Sequence, residues 1–114
     1  MEYMPEFKLH RPKTIADAVA LRRSNKNAKF LAGGTDMVVN IRRGIEAPDA
    51  LIDLTAVAEL KSIVQDSDGI HIGAAVKLED VACHPVVQDG FGAVAIAASS
   101  IAGPTHQRYG TVGG

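Results

Sequence analysis

Apolar residues recur along the chain in short runs whose spacing changes character near residue 55. Phe7 and Leu9 alternate with charge ahead of Pro12, the pattern of a short edge strand or extended lead-in. Thr14-Ile15-Ala16-Asp17 opens a periodic run in which Thr14 caps the first orphan amides and Asp17 suits the positive first turn. Ile15, Ala18, Val19 and the stem of Arg22 share one face, so the spacing predicts a helix over residues 15–24. Lys29-Phe30-Leu31-Ala32 is an apolar run closed by Gly33-Gly34, a strand ending in a tight turn. Thr35-Asp36 precedes Met37, Val38 and Ile41 at helical spacing, with Arg42 and Arg43 near the end and Gly44 just past it. Acid at the start, base at the end and glycine at the stop punctuate a second helix. Residues 50–54 follow as a buried strand.

This alternation predicts a parallel α/β arrangement for the first half. The second half reads differently. Residues 62–65 and 70–73, separated by Asp66-Ser67-Asp68-Gly69, predict an antiparallel hairpin with a polar turn. A short helix is expected over 78–83, broken near Pro85. An Ala-rich helix follows within 86–101, from about Phe91, and is stopped by Pro104. The expected fold class is α+β: a small α/β subdomain over residues 1–55, then the first part of a second subdomain over 56–114.

Composition narrows the classes of partner. The chain has 114 residues, one compact domain or part of a larger one. Its 12 basic and 13 acidic side chains leave a formal net charge of −1, so no broad field favours nucleic acid or an anionic membrane. Aromatic residues make up 4% and Trp is absent, which removes base-stacking platforms. Cys83 is the lone cysteine, so neither an intramolecular disulfide nor a CxxC motif exists, as befits a reducing compartment. The opening lacks the basic stretch and apolar core of a secretory signal. The longest apolar run, residues 93–98, is far short of the ~20 residues a membrane span needs. A cytoplasmic chain without membrane insertion is expected.

Candidate chemistry lies in two glycine-rich stretches. Around Gly33-Gly34 the backbone can approach a ligand with no side chain in the way, and the following helix offers unpaired N–H groups to phosphate or pyrophosphate. An ordinary Gly-Gly turn is the competing reading. The motif is neither G-x-G-x-x-G nor a P-loop with its Lys. An ionised Asp36 facing a pyrophosphate would repel it, so its carboxylate is expected in its own helix cap. The second stretch runs from Ile101 to Gly114, with glycine at 103, 110, 113 and 114. Such a loop presents amides and little bulk to a flat or anionic ligand; a flexible tail is the alternative. His10, His71, His84 and His106 fall in no metal-binding spacing, and no catalytic residue or metal ligand is assigned. His71 is expected to be packed or at a rim, and Cys83 to be a small buried hydrophobe.

Four blocks together resemble the FAD-binding subunit or domain of the molybdenum hydroxylase family, the xanthine dehydrogenase and carbon monoxide dehydrogenase type. They are Phe7-Lys8-Leu9-His10-Arg11-Pro12 with residues 14–18; Leu31-Ala32-Gly33-Gly34-Thr35-Asp36 with residues 40–44; residues 51–54 with Ile72-Gly73-Ala74; and residues 101–106 with Thr111-Val112-Gly113-Gly114. Within the family, the branch of the 4-hydroxybenzoyl-CoA reductase beta subunits is the most similar. The resemblance implies a vanillyl-alcohol-oxidase or PCMH-type fold, incomplete here, with FAD between two subdomains. It implies that Lys29, Phe30, Leu31, Ala32, Gly33, Gly34, Thr35 and Asp36 wrap the pyrophosphate. It implies that Ile101, Ala102, Thr111, Gly113 and Gly114 flank the flavin end.

The implied role is electron transfer between FAD and iron–sulfur centres on a partner subunit, within a hetero-oligomer whose molybdenum cofactor sits on another subunit. In the family an Asn follows the second Gly-Gly, whereas this chain stops at Gly114. The expectation is therefore a truncated domain, inactive alone, with exposed strand edges. Replacing Gly33 or Gly34 by Val is expected to abolish FAD retention while leaving the complete subunit folded. A self-contained flavin oxidoreductase of the same fold, or a fragment whose glycine loops bind nothing, are the alternatives.

Overall fold

The computed structural model describes residues 6–35, 37–101 and 103–114. Its first half is a three-stranded parallel sheet of β1 (Lys8–His10), β2 (Ala28–Leu31) and β3 (Ala50–Asp53), ordered β1-β3-β2. Ala28 and Lys8 both register with Ala50. The central strand carries Ala50, Leu51 and Ile52, all buried, because a middle strand of a parallel sheet is covered on both faces. Leu9, on the edge strand β1, is exposed.

Helix α1 (Ile15–Ser24) has the expected bounds, and the Thr14 hydroxyl accepts from the Asp17 amide at 3.1 Å. Its inward face differs from the expected one. Ala18 is the buried residue and Leu21 packs beside it, while Ile15 and Val19 remain 40% and 39% exposed. Ala18 meets Ala28, Ala50 and Ile52, so small side chains bring the helix close to the sheet and rotate the longer ones outward. Helix α2 (Met37–Arg42) ends as expected: Gly44 takes φ +76°, and the Ile45 amide reaches back to the Asn40 carbonyl at 2.9 Å. The acid expected at its start, Asp36, lies outside the described residues.

After a single 3-10 turn (Ala58–Leu60) comes the hairpin of β4 (Ile63–Asp66) and β5 (Gly69–Ile72). Its turn is tighter than expected. Asp66 pairs with Gly69, leaving Ser67 and Asp68 as the two-residue connection, and Gly69 takes φ +139°. The helical part is more finely divided than expected. Helix α3 (Leu78–Cys83) has the expected bounds. Pro85 opens a separate helix α4 (Pro85–Gly90), whose Val86 amide donates to His84 Nδ1 at 3.2 Å. The Ala-rich helix α5 (Gly92–Ser99) follows the break at Phe91. Pro104 does not merely stop a helix but occupies the first turn of α6 (Pro104–Tyr109), where its missing N–H costs nothing.

Two cores result. One holds Ala18, Ala28, Ala50 and Ile52; the other holds Val76, Val81, Val87, Ala95 and Ala98 with hairpin residues Ile63, Ile70 and Ile72 against it. The α+β class expected from the sequence is that of the structure.

Candidate functional site

Strand β2 delivers the first glycine turn. Its ladder ends where the Leu54 amide donates to the Leu31 carbonyl at 2.8 Å, and the chain then leaves the sheet through Ala32, Gly33 and Gly34. Among the described residues, the amides of Ala32, Gly33, Gly34 and Thr35 donate no hydrogen bond. Gly34 takes φ +76°, a left-handed conformation that L side chains rarely adopt. Successive free amides in such a turn form a concavity suited to an anion. Helix α2 spans only six residues, so its dipole adds little and the donors belong to the turn itself.

The second stretch is not a flexible tail. Residues 110–113 run antiparallel to residues 74–78 and are tied to them at three points. The Leu78 amide donates to Gly110 at 2.9 Å, the Val112 amide to Val76 at 3.0 Å, and the Gly113 amide to Ala74 at 2.8 Å. Thr111 is buried, and its hydroxyl donates to the Gly114 carbonyl at 2.8 Å. A Cβ at Gly113 would lie 2.9 Å from that of Ala74, so the pairing requires glycine.

The two stretches meet. A methyl group added at Gly33 would overlap the Tyr109 carbonyl and lie 3.2 Å from Gly110 Cα. Between them lies a crevice of about 260 Å³. Phe30, Leu31 and Ala32 line it from the first stretch, and Thr111, Gly113 and Gly114 from the second. Leu54, Ala74 and Ala75 complete the wall.

Of the residues expected to hold a cofactor, these six line the crevice. Gly33 lies in the seam, and Gly34 and Thr35 are half-buried in the turn. Lys29 and Ile101 are exposed and do not line the crevice. Asp36 and Ala102 lie outside the described residues. Leu54 and Ala74 belong to a block of the family resemblance but were not assigned to the site, and Ala75 had no signature beyond its place next to an apolar run. The close contact that sets the last two is Gly73, whose added Cβ would overlap the Leu60 carbonyl, while the Ala75 amide donates to that same carbonyl at 2.9 Å.

No described acidic side chain lines the crevice. The nearest in sequence, Asp53, is occupied: Oδ1 accepts from the Thr55 amide at 2.8 Å and its hydroxyl at 2.6 Å, and Oδ2 faces Arg11 Nε at 3.6 Å. Cys83 is exposed rather than buried, because α3 turns Val81 and Ala82, not Cys83, toward the core. His71 is exposed too, with Nε2 2.7 Å from Asp66 Oδ2. Among the described residues no group of His, Cys, Asp and Glu is arranged to hold a metal, and no helix is long and apolar enough to cross a membrane.

Against this geometry, the sequence pattern of the FAD binding domain in molybdopterin dehydrogenase matches residues 5–114. The chain belongs to this family. It is 34% identical over 113 residues to the nicotinate dehydrogenase FAD-subunit of Eubacterium barkeri, covering 97% of this chain and 38% of that subunit. It is 35% identical over 111 residues to the carbon monoxide dehydrogenase medium chain of Hydrogenophaga pseudoflava, covering 96% of this chain and 39% of that one. A solved structure of carbon monoxide dehydrogenase from Hydrogenophaga pseudoflava superposes with a TM-score of 0.94 at 34% identity, over 98% of this chain and 39% of that chain. The chain thus spans about two fifths of the length of these members of the family.

Proposed function

We propose that the chain contributes the pyrophosphate-binding part of an FAD site, in an electron-transfer subunit of a molybdenum-containing hydroxylase or reductase complex. One observation carries the reading: two glycine stretches far apart in sequence converge on a single crevice whose walls are small or apolar. At about 260 Å³ the crevice falls below the roughly 300–1,000 Å³ of sites that enclose a whole drug-sized ligand. It therefore suits the narrow middle of a dinucleotide, with the two ends running out along the seam.

The turn from Ala32 to Thr35 offers amide donors to the phosphates, while Gly113 and Gly114 let the backbone approach from the other side. Thr111 holds the second loop in shape through its bond to Gly114. Leu31, Leu54, Ala74 and Ala75 exclude water from the crevice floor, which strengthens amide–phosphate bonds. Lys29 and Ile101 act at the periphery in this reading, and Asp36 and Ala102 retain the roles the family resemblance implies. Bound FAD would supply one- and two-electron redox chemistry, and the protein orients and insulates it.

The boundary between the two FAD-binding subdomains is proposed at residues 55 and 56, between the two apolar cores. Partner subunits carrying iron–sulfur clusters and the molybdenum cofactor, with the substrate pocket on the latter, form part of the proposal. The relatives named as an FAD-subunit and a medium chain support a subunit over a self-contained oxidoreductase. The 4-hydroxybenzoyl-CoA reductase branch and a cytoplasmic location are proposed on the sequence blocks and the lone Cys83.

The test is a titration of FAD into the complete, flavin-stripped subunit. Stoichiometric quenching of flavin emission is expected, together with loss of binding in Ala32→Phe, whose ring would fill the crevice. A wild-type subunit that quenches no emission, or an Ala32→Phe variant that binds normally, overturns the reading.

A further inference from the structure

Helix α6 leads into the glycine loop of the second stretch, and its C-terminal end abuts the first. Its Tyr109 carbonyl abuts Gly33 of the first stretch, and Gly110 and Thr111, which follow it, belong to the second. The helix has only six residues, too few to persist unaided. It has no side-chain N-cap at Gly103. Among the described residues its side chains make two hydrogen bonds, and both come from half-buried Gln107. Nε2 donates to the Ser99 carbonyl at 2.8 Å and to the Ile101 carbonyl at 3.1 Å. These carbonyls lie at and beyond the end of α5, where helical carbonyls lose their intrahelical donors. One carboxamide thus closes the end of one helix and fixes the next against it.

From this we infer that Gln107 is a positioning residue for the FAD crevice: its carboxamide clamps α6 to α5 and so holds Tyr109 against Gly33 and the second glycine loop against the first. The inference rests on the FAD reading above. Gln107 does not itself line the crevice and acts through the placement of α6. Losing two neutral, partly exposed hydrogen bonds is expected to shift the local equilibrium roughly tenfold, about 1.4 kcal/mol.

The experiment measures FAD affinity of the complete subunit by flavin-emission quenching, for the wild type, Gln107→Met and Gln107→Arg. Met fills similar volume without donors, whereas Arg restores a planar pair of N–H groups. The expected result is a Kd raised roughly tenfold in Gln107→Met and returned to within about threefold of wild type in Gln107→Arg, at unchanged stoichiometry. A purely structural role would lower the fraction of competent protein and leave Kd alone, and that result overturns the inference. So does an unchanged Kd in Gln107→Met, or a Gln107→Arg variant as weak as Gln107→Met. A wild-type subunit without flavin binding sinks the underlying FAD reading and this inference with it, whereas wild-type binding matched by Gln107→Met sinks the inference alone.

Discussion

Gly33 and Gly34 are adjacent and do different things. At Gly33 the constraint is space: a methyl group there would occupy the Tyr109 carbonyl, which is backbone and has nowhere to go. At Gly34 the constraint is conformational: φ is +76°, and an added Cβ would meet only side chains, Val38 at 3.3 Å and Leu31 at 3.8 Å. Gly33→Ala is therefore predicted to separate the two glycine stretches, with a loss of stability above the ~1–3 kcal/mol typical of overpacking. Gly34→Ala should lose about 1–2 kcal/mol, the cost of a left-handed L residue. Urea unfolding of the complete subunit checks both, and equal losses at the two positions would contradict the distinction.

The expectation that Val at Gly33 spares the fold is corrected by this contact, and Val at Gly34 would be strained by the left-handed backbone. Sequence alone identified both glycines as special because a strand and a helix flank them. It was silent on which one faces backbone, since Tyr109 is 76 positions away and the contact depends on tertiary placement.

Among the elements, those whose ends carry their own chemistry were legible in the sequence. Thr14 capping Asp17, Gly44 ending α2 and Gly69 closing the hairpin are local bonds written in neighbouring residues. The rotated face of α1, the separate α4 and the helical tail α6 were not, because they are settled by what each segment packs on. Helices of six to eight residues such as α3 to α6 depend on that packing for their existence.

The hairpin permits a prediction at this scale. The Asp68 amide, and then the hydrogen bond and charge of His71, hold the Asp66 carboxyl below its ordinary 3.8. A depressed carboxyl stabilises the fold fully above its unfolded value, and that contribution is lost as pH falls through the lower folded one. An NMR titration of the complete subunit should place the Asp66 midpoint below 3.8, and Asp66→Asn should remove the acid-dependent opening of the hairpin. A midpoint at or above 3.8 would contradict this account of the turn.

As a whole the chain is a plate, 45 × 34 × 16 Å, with a radius of gyration of 15.6 Å against about 13 Å for a compact domain of this length. It is thin because it has two small cores side by side, one under the parallel sheet and one among the helices, instead of a single large one. The crevice takes lining residues from both halves, so an occupant would touch both at once.

Hydrogen exchange of the complete subunit with and without FAD tests that claim most directly. Residues 32–35 and 110–114 should slow together when FAD is added, and should do so over the same concentration range. Protection confined to one stretch, or found in neither while FAD is bound, would contradict a shared site.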